Sequence, residues 1–130
     1  MLNEYIFFRY KGALKKLNVN DIVVLEAADN YVKFFSEEGV FLVRITLDAA
    51  VKSLPSTNFV RVHRLYAVAI KDIDTLAKDF LTIKDLKDQI PVSKQYYLQL
   101  LKKIKILHAS SFEKGNSVSK KSRLSLKDQK

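Results

Sequence analysis

The chain has no cysteine. That absence excludes a disulfide framework, thiolate nucleophiles and thiolate metal centres, and it suits a reducing cytoplasm. Histidine is almost as scarce, with His63 and His108 the only 2, and the 3 glycines form no phosphate-cradling loop. Most carboxylates fall in turns or on exposed faces, so the residues for acid–base or nucleophilic chemistry are missing and no enzyme is expected. No apolar run approaches the roughly 18 residues that a membrane span needs. The start, Met1 to Arg9, carries an acid and an apolar run too short for a signal peptide. No cofactor, metal or membrane partner is expected.

What the chain does have is core-forming bulk and positive charge. At 130 residues and 48% hydrophobic it can bury one real core, with room for one domain and at most a tail. The net charge is +9. Residues 1–107 hold 17 basic and 12 acidic side chains, and 108–130 hold 6 and 2. The last stretch is rich in Ser and Lys without apolar period, so 108–130 reads as a disordered basic tail behind a domain of 1–107. Excess positive charge in the domain suits an anionic partner.

Taken in order, Tyr5–Tyr10 is a β-type run that turns at Lys11-Gly12 into Ala13–Leu17. Asn18–Asp21 is a second turn. Ile22–Ala27 is almost wholly apolar, which predicts a central strand covered on both faces. Tyr31–Phe35 and Val40–Arg44 flank Glu37-Glu38-Gly39, a hairpin signature. Leu47, Ala50, Val51 and Leu54 form one helical stripe, with Thr46 as N-cap and Pro55 as stop. Lys71–Asp74 reads as a turn, and Phe80–Ile83 pairs with Gln89-Ile90. Pro91 ends that strand, and Ser93 caps a second helix carrying the stripe Tyr97, Leu100, Leu101, Ile104. Lys102, Lys103 and Lys105 are expected late in that helix, where cations suit its dipole. The predicted fold is mainly β with minor α: nine or ten short strands, one inserted helix and one terminal helix.

The organising stretch is Asn58–Ile70. Phe59, Val60 and Val62 begin a strand, the cationic knot Arg61 with His63-Arg64 interrupts it, and an apolar run resumes at Tyr66. An unpaired buried knot costs several kcal/mol, so it is expected at an edge of the β core. Two further polar corners are Asp29-Asn30-Tyr31 and Ser93-Lys94-Gln95.

Three stretches, in order, resemble one family. They are Asp21–Val32 with its Glu26-Ala27 and Tyr31, then Thr46-Leu47 followed by Phe59–Arg64, then Ile90-Pro91-Val92-Ser93-Lys94. Together, across about Tyr5 to Leu107, they are similar to the LytTR (LytR/AlgR-type) DNA-binding domain of bacterial response regulators. The resemblance implies an elongated stack of small antiparallel sheets whose loops enter successive major grooves of double-stranded DNA, usually at direct-repeat promoter sites. Carried onto this chain, the reading loops are Ala28–Lys33, His63-Arg64 and Ser93–Gln95. It also implies transcription regulation in the cytoplasm, downstream of a receiver domain and a sensor kinase pathway. There is no room here for a receiver domain, so the chain reads as the output half of a longer regulator or as a stand-alone one. The isolated domain is expected to be mainly monomeric and to pair on DNA. Leu65, Ala69 and Lys94 depart from the family pattern, which has Ser, Asn and Arg there. Those departures motivate the alternative of a protein-interaction module that keeps the fold without DNA reading.

Residue chemistry supplies roles for these positions. Arg64 matches the two acceptors of guanine, and Asn30 the donor–acceptor pair of adenine. Lys33, Arg61 and Tyr31 suit phosphates, though Arg61 also suits an acid and the first residue of a strand, as Tyr31 is, is more often half-buried packing. His63 fits either a DNA contact or a structural hydrogen bond in its turn. Ser93, Lys94 and Gln95 sit where unpaired N–H groups of a helix start make a phosphate seat. Glu26, a lone carboxylate on an apolar strand, is expected to hold the neighbouring loop or pair with a base.

Overall fold

The structure is a computed structural model that describes residues 4–54 and 58–108. The stop at Pro55 and the basic tail beyond His108 lie outside the described residues. Ten strands and two helices follow one another: β1 (Tyr5–Tyr10), β2 (Ala13–Asn18), β3 (Ile22–Ala28), β4 (Tyr31–Ser36), β5 (Gly39–Val43), α1 (Leu47–Ser53), β6 (Phe59–His63), β7 (Tyr66–Ala69), β8 (Ile73–Leu76), β9 (Phe80–Ile83), β10 (Ile90–Pro91) and α2 (Lys94–Leu101). All pairings are antiparallel, in sheets ordered β1-β2, β5-β4-β3-β7-β6 and β10-β9-β8.

The five-stranded sheet is the middle layer, and alternation along its strands divides the core in two. Leu25, Val32, Phe34, Phe41, Phe59 and Ala67 point to one face, where β1-β2 brings Phe8 and Leu17 and α1 brings Leu47, Ala50 and Leu54. Val24, Val60, Val62 and Val68 point to the other, against Leu81 and Ile83 of β9, Ile90, Val92 and Leu100 of α2. β3 is therefore covered on both faces, as its unbroken apolar run requires.

Local signals place the elements. Thr46 Oγ1 accepts the Ala49 N–H at 3.1 Å and starts α1. Asn18 does the same for a 3-10 turn at Val19–Asp21, accepting from Asn20 N–H at 2.9 Å. Three expectations need correction. Asn58–Ile70 is not one interrupted strand but the hairpin β6–β7, with a register shift between Arg61 and His63. The turn expected at Lys71–Asp74 is a 3-10 turn at Ile70–Asp72, and Ile73 and Asp74 already belong to β8. α2 ends at Leu101 with Lys102 as C-cap, so Lys103 and Lys105 lie beyond the helix instead of in its last turn. The Lys102 and Lys103 N–H groups close short bonds to Gln99 and Leu100 carbonyls, which tightens the chain out of the helix.

Candidate nucleic-acid interface

β3, β5 and β6 run toward the end of the middle sheet from which β4 and β7 run back. The Asp29-Asn30 tip and the Arg64-Leu65 turn therefore lie at one edge. A backbone hydrogen bond joins these corners, with Ala27 N–H donating to the Leu65 carbonyl at 2.9 Å. A second bond joins the start of α2 to them, with Ser93 N–H donating to the Val62 carbonyl at 2.9 Å. Corners more than sixty residues apart in sequence are thus bolted into one surface.

At the first corner Asp29 takes φ 57, a left-handed conformation that Asp and Asn tolerate better than other side chains. Asn30 is exposed beside it. Tyr31 is 40% exposed instead of half-buried in packing. The Arg44 guanidinium lies 5.9 Å from the centre of its ring, a cation–π geometry. Sequence reasoning missed Arg44 as a site residue. The β4–β5 register carries the signal, since Val32 opposes Val43 and Tyr31 and Arg44 are their immediate neighbours outward. Lys33 is half-buried, opposite Glu26 on β3 and Leu42 on β5.

At the second corner the Arg64 side chain is exposed. His63 is half-buried, and its Nδ1 accepts the Leu65 N–H at 3.1 Å. A neutral ring then carries its proton on Nε2, which faces away from that bond. Arg61 has most of its donors committed. Nη1 donates to Asp48 Oδ1 at 2.6 Å, Nη2 to the Arg64 carbonyl at 2.8 Å and Nε to the His63 carbonyl at 3.3 Å.

Ser93 occupies the N-cap position of α2, but its hydroxyl makes no capping bond. Ser93 Oγ is instead buried without a partner, so reaching a phosphate requires rotation about χ1. Lys94 and Gln95 are exposed in the first turn, where helix N–H groups lack intrahelical acceptors. Glu26 makes no ion pair among the described residues and accepts the Tyr66 hydroxyl at 3.1 Å. Of the family departures, Ala69 is wholly buried in the core under α1, an apolar role, while Leu65 shapes the turn through its backbone.

The described residues hold three ion pairs, Lys15–Glu38, Arg61–Asp48 and Lys71–Asp72. Lys33, Arg44, Arg64 and Lys94 stand outside all three, so each corner carries a cation that makes no ion pair within 4 Å among the described residues. The three polar tips and these cations thus share one end of the middle sheet.

The family model for the LytTr DNA-binding domain matches residues 12–105. The chain belongs to the LytTR family. The match falls inside the Tyr5–Leu107 span of the resemblance and starts in the turn after β1. Among solved structures, the chain is similar to the LytTr DNA-binding domain of a Bacillus cereus protein described as a methyl-accepting/DNA response regulator. That likeness has a TM-score of 0.66 at 21% identity over 76% of this chain and 94% of the other, and at that identity it speaks to the fold. No curated protein matches. LytTR domains are DNA-binding domains, typical of the output halves of response regulators, and are not a class of enzyme. Among the described residues no helix is long and apolar enough to cross a membrane.

Proposed function

We propose that this LytTR domain is the sequence-specific reader of double-stranded DNA in a bacterial transcription regulator. The observation that carries the proposal is the gathering of three distant corners at one sheet end by the Ala27–Leu65 and Ser93–Val62 backbone bonds. Arg64 and Lys94 read bases from their exposed tips, with Asn30 and Gln95 beside them. Lys33, Tyr31, His63 and Ser93 position the backbone, and Arg44 joins them as a further cation. Phosphate contacts fix register and base-edge contacts carry specificity. Lys94 offers guanine a point charge where the family's Arg offers a fork, so its preference at that position is the weaker one.

In this reading the domain works in the cytoplasm as the output half of a two-component response regulator. A phosphorylated receiver domain pairs two copies on direct repeats, and the isolated domain is mainly monomeric. Fluorescence anisotropy on a duplex carrying such repeats and on a scrambled duplex tests the proposal. Affinity should fall steeply with salt for both, because counterions are released. At moderate salt the repeat duplex should retain an advantage. Equal binding of both duplexes overturns the proposal.

A further inference from the structure

We infer that Arg61 is a positioning residue that locks two reading corners together, and that it does not itself bind DNA. The inference rests on the sequence-specific reading above and concerns how that surface is held. Arg61 sits on β6 immediately before the register shift, where Val62 is the extra residue between the Arg61–Ala67 and His63–Tyr66 pairs. A bulge bends a strand and leaves its turn short of ladder bonds. The guanidinium replaces them. Nε and Nη2 hold the carbonyls of His63 and Arg64, so the peptide that presents Arg64 is gripped from beneath.

Its remaining contacts reach two other elements. Asp48, in the first turn of α1, fixes Nη1 at 2.6 Å. The ring of Tyr96, in the first turn of α2 beside Lys94 and Gln95, lies 5.4 Å from the guanidinium carbon. One side chain therefore touches α1, the Arg64 turn and the start of α2. Only 20% of it is exposed, against 76% for Asp48. A planar fork with fixed donor directions suits this task, and a lysine does not. An arginine free to neutralise phosphate would have neither three committed contacts nor such burial.

The sign of one substitution separates the clamp from a phosphate contact. Asp48→Ala removes an anion next to the DNA surface. If Arg61 gripped phosphate, that loss would free it and affinity would rise or stay level. If Arg61 is a clamp, the turn loosens and discrimination falls despite the more favourable charge.

The test compares wild type, Asp48→Ala and Arg61→Gln. Binding is measured to a duplex recovered by the wild type from a random pool and to a scrambled duplex. Amide exchange of Leu65, whose N–H is held by His63 Nδ1, is read in the free protein. Asp48→Ala should lower the specific-to-scrambled ratio roughly threefold, because the ion pair is largely exposed. Arg61→Gln should lower it roughly tenfold, as expected for a residue coupled to several partners. In both, the slope of log affinity on log salt should stay as in the wild type, and Leu65 exchange should quicken. Asp48 is exposed, so its variant folds and decides the matter even if Arg61→Gln does not. An unchanged or raised ratio in Asp48→Ala overturns the clamp, as does a slope reduced by about 0.9 in Arg61→Gln. A wild type that binds both duplexes alike overturns the sequence-specific reading, while Leu65 exchange still judges the clamp.

Discussion

Tyr66 and Glu26 face one another on neighbouring strands, and the phenol donates to the carboxylate at 3.1 Å. Burial of the ring, then the hydrogen bond to Glu26 and the negative charges of Glu26 and Asp88, raise the Tyr66 hydroxyl above its ordinary value of 10.0. The folded state thus holds this proton more tightly than the unfolded chain does. The stability it contributes is fully present below pH 10 and is lost as pH rises through the higher folded value. Tyr66→Phe should cost about 1 kcal/mol at neutral pH and flatten the loss of stability at alkaline pH. Urea unfolding between pH 7 and pH 11 measures both, and parallel curves for the two proteins would contradict the pairing. Neither the Tyr66–Glu26 pair nor the partner of Arg61 was legible in the sequence, which allowed Arg61 an acid but did not name Asp48. Glu26 looked like a stray acid because its partner stands 40 positions away. For Arg61 phosphate and acid both stayed open, because alternation takes no account of the register shift beyond it or of an acid on a helix 13 positions upstream.

The turns between strands show what local chemistry decides by itself. Lys11 and Gly12 both have positive φ, 52 and 81, the primed two-residue turn whose twist matches a hairpin. Gly39 has φ 138, farther from any region that other residues tolerate. A Cβ at either glycine would meet nothing within 4 Å, so substitution there isolates the backbone term. Gly12→Ala should cost about 1 kcal/mol and Gly39→Ala about 2–3 kcal/mol, measured by thermal melting. The reverse order would contradict the assigned conformations. The hairpins at Lys11-Gly12 and Glu37–Gly39, the Thr46 cap and the stripe of α1 were legible because each depends on residues a few positions apart, whereas the stripe of α2 loses Ile104, which lies beyond the helix. The end of α2 was not, because Lys102 and Lys103 suit a helix end as well as the tightened exit they occupy. Ser93 is the instructive case: its type suits a cap, but packing buries its hydroxyl unpaired.

The three sheets make a layered body in which β3 is central and the polar tips collect at one end. The near-continuous apolar run Ile22–Ala27 announced the middle strand, but which turns would share an edge depended on the order β5-β4-β3-β7-β6. Periodicity carries no information on strand order. Only the family motifs, with their spacing, brought Asn30, Arg64 and Lys94 into one candidate surface before the fold was in view. The most direct measurement is selection of bound duplexes from a random pool, with wild type beside Arg64→Ala and Lys94→Ala. Wild type should enrich a repeated motif, and each variant should relax one base position while keeping the others, at about 1–3 kcal/mol for Arg64 and less for Lys94. A pool that stays random while salt-sensitive binding persists would contradict the account, leaving a domain that grips phosphates without reading bases.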